Sequence, residues 1–146
     1  MYSSIFFAWA LAATTVVVHA VGLALMLRFL DHRGNIPMTR VAAISTRLVW
    51  VACYMVLLHL IAISIWGAFY VWLGCLPDLE TAFYFSGVTY ATIGYGDVVL
   101  ANPWRLLGLM EGLTGILMCG LSTGVFIAVV NQIYQFFHSK IDDHKH

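Results

Sequence analysis

Apolar residues run along this chain in three long blocks with almost no charge inside them. The blocks are Ser3–Leu27, Leu48 to about Leu76, and Gly112 to about Phe137, the last extending back past Glu111 to Trp104. A helix needs about 20 residues to cross a hydrocarbon layer of about 30 Å, so each block predicts a membrane-spanning helix. A fourth apolar piece, Leu79–Tyr90, differs in length: at about 1.5 Å per residue it makes only about 18 Å of helix and must dip in and return. Its start is marked by Leu76-Pro77-Asp78-Leu79-Glu80-Thr81, with Asp78 as the N-cap and Glu80 near the positive helix end. Non-helical backbone is expected from Thr92 to Asp97. At membrane depth such backbone is tolerated only against protein or a wet cavity.

Composition agrees with the pattern. Of 146 residues, 62% are hydrophobic and 10% charged, too few polar groups to wet a surface, so 1–146 is expected to be one membrane domain. Seven basic and seven acidic residues leave no net charge, and no Lys/Arg run is present to hold nucleic acid. Cys53, Cys75 and Cys119 show neither metal-ligand nor disulfide-framework spacing and are expected to be packing residues. No nucleophile–base pair or metal cluster points to an enzyme.

Charge placement sets the expected direction. Arg28, Arg33, Arg40 and Arg47 cluster between the first two blocks and mark that side as cytoplasmic, which puts the N-terminus outside and a tail with Lys140 and Lys145 inside. Trp9, Trp66, Tyr70, Trp72 and Trp104 then fall near the outer interface, and Trp50, Tyr134, Phe136 and Phe137 near the inner one. Arginines follow the first block and no positive charge precedes it, the pattern of an uncleaved anchor rather than a signal peptide. Asn35-Ile36-Pro37 is expected to start a helix along the inner surface that joins the second span.

The segment Tyr84-Phe85-Ser86-Gly87-Val88-Thr89-Tyr90-Ala91-Thr92-Ile93-Gly94-Tyr95-Gly96-Asp97 resembles the pore loop of the potassium channel superfamily, with Ile93 where its signature has Val. The layout resembles small bacterial three-span members of that group, specifically from Tyr84 to about Val130. The resemblance implies a filter in which backbone carbonyls of Thr92, Ile93, Gly94 and Tyr95 replace the water around K⁺, with the Thr92 hydroxyl as the innermost ring. Gly94 and Gly96 allow positive φ, which lets successive carbonyls turn one way. By the same resemblance Tyr95 packs against the short helix, Asp97 anchors the outer mouth, and Gly115 and Gly120 are hinge candidates; Thr89 and Glu111 are the candidate filter supports. Ala91 and Val88 depart from the pattern, at sites where relatives carry a second Thr and a bracing carboxylate.

One motif per chain implies four chains around one axis, a homotetramer in a bacterial inner (plasma) membrane with K⁺ as permeant ion and no cofactor. The expected fold is thus all-α: an added helix over 1–30, then a pore unit over 48–137 of outer helix, re-entrant helix with filter loop and inner helix, and a short tail over 138–146. No span carries regularly spaced arginines, so no voltage sensor is expected.

Polar residues inside the blocks raise further candidates. A carboxyl at Glu111 is costly in a membrane unless paired, protonated or near water; its expected role is to hydrogen-bond behind the short helix, the alternative being a snorkelling or subunit-contact residue. Gly108, Gly112, Gly115, Gly120 and Gly124 suit close helix packing as well as a hinge. Asn131, Gln132 and Gln135 fall near the inner mouth. His19 and His59 lie at similar depth on neighbouring spans and motivate a rival class, a haem-binding or scaffold membrane protein. Within transport the alternative is a poorly selective cation channel, against which the intact Gly94-Tyr95-Gly96 step speaks.

Overall fold

The computed structural model describes the backbone of residues 2–32 and 41–143, with side chains from 5 to 32 and from 41 to 135. Arg33, Asn35, Ile36, Pro37, Arg40 and Lys145, on which expectations were placed, lie outside the described residues, as do the side chains of Phe136, Phe137 and Lys140. Every described element is a helix: α1 (Tyr2–His32), α2 (Val41–Trp72), α3 (Leu79–Tyr90) and α4 (Arg105–Asp143). Three of them, α1, α2 and α4, are long and apolar enough to cross a membrane, and α3 is not.

The α3 boundaries fall where the sequence places them. Asp78 sits in extended backbone and caps the helix, its carboxylate accepting from the Thr81 amide at 2.8 Å and the Thr81 hydroxyl at 2.9 Å. The end of α2 differs from expectation. The helix stops at Trp72 instead of running to Leu76, because Gly74 adopts a φ of 67° while the amides of Gly74 and Cys75 bond back to the carbonyls of Val71 and Tyr70. This is the Schellman closure that a left-handed glycine makes available. At its other end α2 is continuous from Val41, and α4 runs to Asp143 rather than stopping near Phe137.

Cross-helix pairs fix the packing directions. Phe7 meets Phe69, His19 meets His59, the Gly22 carbonyl accepts from Tyr54, and Phe29 stacks on Trp50, so α1 and α2 run antiparallel. Beside α1, α4 runs parallel, with Ile5, Ala8 and Trp9 near Leu106, Leu109 and Met110, and His19 against Ser122. The bundle thus has a loop end, where α3 and its connections sit, and a tail end.

At the loop end the core gathers Ala8, Leu11, Trp66, Tyr70, Ala82, Phe85 and Leu107. Leu23, Met26, Val51, Met55, Leu58, Val129 and Ile133 form the core of the tail end. Tyr90, Ala62 and Met118 join the two at mid-length. Trp66 and Tyr70, expected at a membrane interface, are instead fully buried core residues, while Trp9 and Trp72 are exposed as an interface aromatic should be. Cys53 and Cys119 likewise lie on the outside of the bundle rather than in its packing. In a chain apolar on every side, hydropathy does not tell which face turns inward.

Candidate functional site

Residues 91–97 leave the end of α3 as an exposed loop, each of them open to the surface of the single chain. Its first turn is held by α3 itself: the Ala91 amide bonds the Gly87 carbonyl, that of Thr92 the Thr89 carbonyl at 2.9 Å, and both the Ile93 and Gly94 amides converge on the Val88 carbonyl at 2.8 and 3.1 Å. Thr89 and Val88 therefore hold the loop through backbone oxygens, which is how a position without a bracing carboxylate still anchors it.

Within the loop φ is positive at every second residue, 60° at Thr92, 50° at Gly94 and 80° at Gly96. Alternating left-handed and ordinary residues turn successive peptide groups to a common side, the arrangement that a column of carbonyls requires. The two glycines adopt it without steric cost; Thr92, which carries a Cβ, gives up about 1–2 kcal/mol to do so. That non-glycine residue was not among the expected left-handed positions. At the far end the Tyr84 hydroxyl donates to Asp97 Oδ2 at 2.7 Å, tying the loop exit back to the middle of α3. This bond holds the Asp97 carboxyl below the ordinary aspartate range. In the single chain Tyr95 is 70% exposed and Ile93 53% exposed.

Behind α3 lies Glu111 of α4, with 0% exposure, so it neither snorkels nor offers itself to a neighbouring chain. Tyr70 of α2 donates to its Oε2 at 2.6 Å, and the Ser86 hydroxyl of α3 bonds its Oε1. Ser86 also lies 2.9 Å from the Ile63 carbonyl. Ser86 owns one proton; with that proton on the Ile63 carbonyl, a neutral Glu111 supplies the proton for the remaining contact and every group is satisfied. A neutral acid is also the form that burial away from water tolerates. One side chain from each of three helices meets there, and the sequence pointed to neither Tyr70 nor Ser86 as a partner of Glu111; a hydroxyl on an apolar helix reads as neutral until its partner is known.

The glycines of α4 divide. A Cβ at Gly115 would stand 2.0 Å from the Tyr90 carbonyl oxygen, so this glycine lets α4 seat against the end of α3. Gly120 meets nothing within 4 Å and lies on the exposed side. Helix α4 is unbroken through both. Asn131, Gln132 and Gln135 are exposed near its tail end.

His19 and His59 do meet, with ring centroids 4.9 Å apart. Two imidazoles that hold a haem stand on opposite faces of the macrocycle, each nitrogen about 2 Å from the iron. Here the rings touch each other, His19 Nε2 is engaged by Ser122 and His59 Nδ1 by Tyr90, so the pair does not have the form of a haem site.

Comparison with known proteins gives one positive finding. Residues 58–132 match the family described as Ion channel, a stretch that holds the latter part of α2 from Leu58, all of α3, the loop and α4 to Gln132, and leaves α1 outside. No curated protein and no solved structure is similar enough to count as a match.

Proposed function

The chain belongs to the ion channel family, and from that premise we propose that it is one subunit of a potassium-selective channel whose filter is Thr92–Asp97. The observation that carries this is the loop itself: alternate positive φ over Thr92, Gly94 and Gly96 in a segment that is wholly exposed in the single chain. Unpaired carbonyls at membrane depth cannot face lipid, where each costs several kcal/mol, so they must face other protein or the ions of a water-filled pore. Four copies around an axis meet the need, each giving the carbonyls of Thr92, Ile93, Gly94 and Tyr95 to rings that stand in for the hydration shell of K⁺. The Ile93 and Tyr95 side chains then pack on neighbouring subunits, which accounts for their exposure in the single chain. In this arrangement α3 is re-entrant, and its C-terminus brings about half a negative charge toward the ion path.

Supports follow from the same geometry. Thr89 and Val88 hold the base of the loop, Tyr84 holds Asp97 at the mouth, and Glu111 with Tyr70 and Ser86 fixes α3 from behind. Gly120, free of contacts in an otherwise continuous α4, is the better hinge candidate, since Gly115 is occupied with packing. The chain resides in a bacterial inner membrane with its N-terminus outside and the loop end facing outward, as the arginines between the first two spans direct.

Liposomes containing the purified chain test the proposal. K⁺ uptake that exceeds Na⁺ uptake, together with a native mass of four chains, is expected. Equal uptake of the two ions, or a monomeric mass in the conducting preparation, would contradict it.

A further inference from the structure

Helix α1 lies outside the segment shared with the family, yet one of its polar residues reaches the centre of the molecule. His19 is 1% exposed, and its Nε2 stands 2.8 Å from the Ser122 hydroxyl of α4. Its ring rests on that of His59 of α2. His59 Nδ1 in turn lies 3.2 Å from the Tyr90 hydroxyl, and the Tyr90 carbonyl presses on Gly115. Tyr90 is the last residue of α3 and stands two positions before Thr92, so its placement sets where the loop begins. All four helices therefore meet through Ser122, His19, His59 and Tyr90.

The chemistry of the chain of contacts is unusual for a purely apolar interior. A neutral imidazole has one N–H and one lone pair. His19 Nδ1 is buried with no hydrogen-bond partner among the described residues, so with its N–H on Ser122 it presents a bare lone pair. A proton that arrives at either ring puts a positive charge in contact with the other imidazole, and on His59 it makes Nδ1 a donor only, which fixes the direction of the bond to Tyr90. The titratable groups around the pair are few: His19 from α1, His59 from α2, Tyr90 from α3, and from α4 Cys119 beside Tyr90 and Glu111 two turns toward the loop end, the latter held by Tyr70 and Ser86. Among the described residues no ion pair holds either ring.

We propose that His59, backed by His19 of α1, is a protonatable positioning residue for Tyr90 and the base of the loop, so that protonation of the pair displaces the start of the filter relative to α4. This rests on the loop being a filter, and it gives a role to α1, which completes from outside the shared pore unit a proton-responsive joint between filter and inner helix.

The test uses the full chain in liposomes. From about pH 8 down to about pH 4, through and below the range in which a free imidazole gains its proton, K⁺ flux through the wild type is expected to change about fivefold or more. His59→Phe, which keeps a ring and takes no proton, is expected to hold the flux flat, and His19→Gln to shrink the response. A pH profile of His59→Phe equal to that of the wild type, or a flat wild-type profile, overturns the proposal. A readout without conduction runs beside it: amide NMR signals of Ala91–Gly94 should shift as the His59 imidazole titrates, and should shift less in His19→Gln. If K⁺ does not pass and the amides still follow His59, the channel assignment falls and the positioning link stands. If the amides ignore His59 titration, the link falls whether or not K⁺ passes.

Discussion

Gly115 and Gly120 sit five residues apart on one helix and resemble each other in sequence, yet they have opposite surroundings. Gly115→Ala forces a methyl against the Tyr90 backbone and is expected to destabilise the folded chain by about 1–3 kcal/mol, the cost of overpacking a site that cannot yield. Gly120→Ala meets only open space and is expected to leave stability unchanged or raise it by up to about 1 kcal/mol through helix propensity. Denaturation of the two variants in detergent checks the pair; equal losses would contradict the placement of α4. Asp97 gives the second test at this scale. Its bond from Tyr84 depresses its pKa below the ordinary 3.8, so the bound form contributes above that value and its contribution is lost as pH falls through the lower folded value. Acidification below about pH 4 should therefore loosen the loop exit in the wild type. In Asp97→Asn the looseness should be present already and independent of pH, as followed by proteolysis or exchange at Val98 and Val99.

Among the elements, α3 was the most legible. Asp78, Glu80 and the twelve apolar-rich residues behind them announce both ends, because a cap and a short length are local properties. The end of α2 was not legible, since Leu73, Cys75 and Leu76 continue its apolar run and only the conformation of Gly74 breaks it. Trp66 and Tyr70 were assigned to an interface for a related reason: a sequence gives their depth but not their face. What fixes α3 against its neighbours is the group of Glu111, Tyr70 and Ser86, and its predicted behaviour follows from a neutral carboxyl. Glu111→Gln keeps an acceptor for Tyr70 and a donor for Ser86, and should cost less than about 1 kcal/mol. Glu111→Leu strands both hydroxyls in a dry interior and should cost about 1–3 kcal/mol, with faster loss of the folded assembly on heating. Hydrogen bonds between membrane helices average only about 0.6 kcal/mol, so the difference comes from unsatisfied groups more than from the bonds themselves.

For the whole molecule, the sequence pattern supplied three spans, a short helix and a loop with permissive residues, all of which the structure contains. Alternation of the spans also supplied their directions, α1 antiparallel to α2 and parallel to α4, but not which faces meet, because that depends on contacts such as His19 with Ser122 and Tyr54 with the Gly22 carbonyl, between residues far apart in the chain. In the single chain the loop over residues 91–97 is exposed, and α4 exposes Leu109, Leu113, Ile116, Leu117 and Ile127. The apolar stretch is at home against lipid or protein, the polar loop is not at home against lipid, and the proposed tetramer meets both needs.

Current recorded from the purified protein in a planar bilayer, with K⁺ on one side and Na⁺ on the other, tests the central claim most directly. A filter built from the carbonyls of Thr92, Ile93, Gly94 and Tyr95 predicts a reversal potential that follows the K⁺ gradient, and its collapse toward zero in Gly94→Ala, where a Cβ strains the left-handed backbone. A reversal potential near zero in the wild type, with Na⁺ carrying current as readily as K⁺, would contradict it.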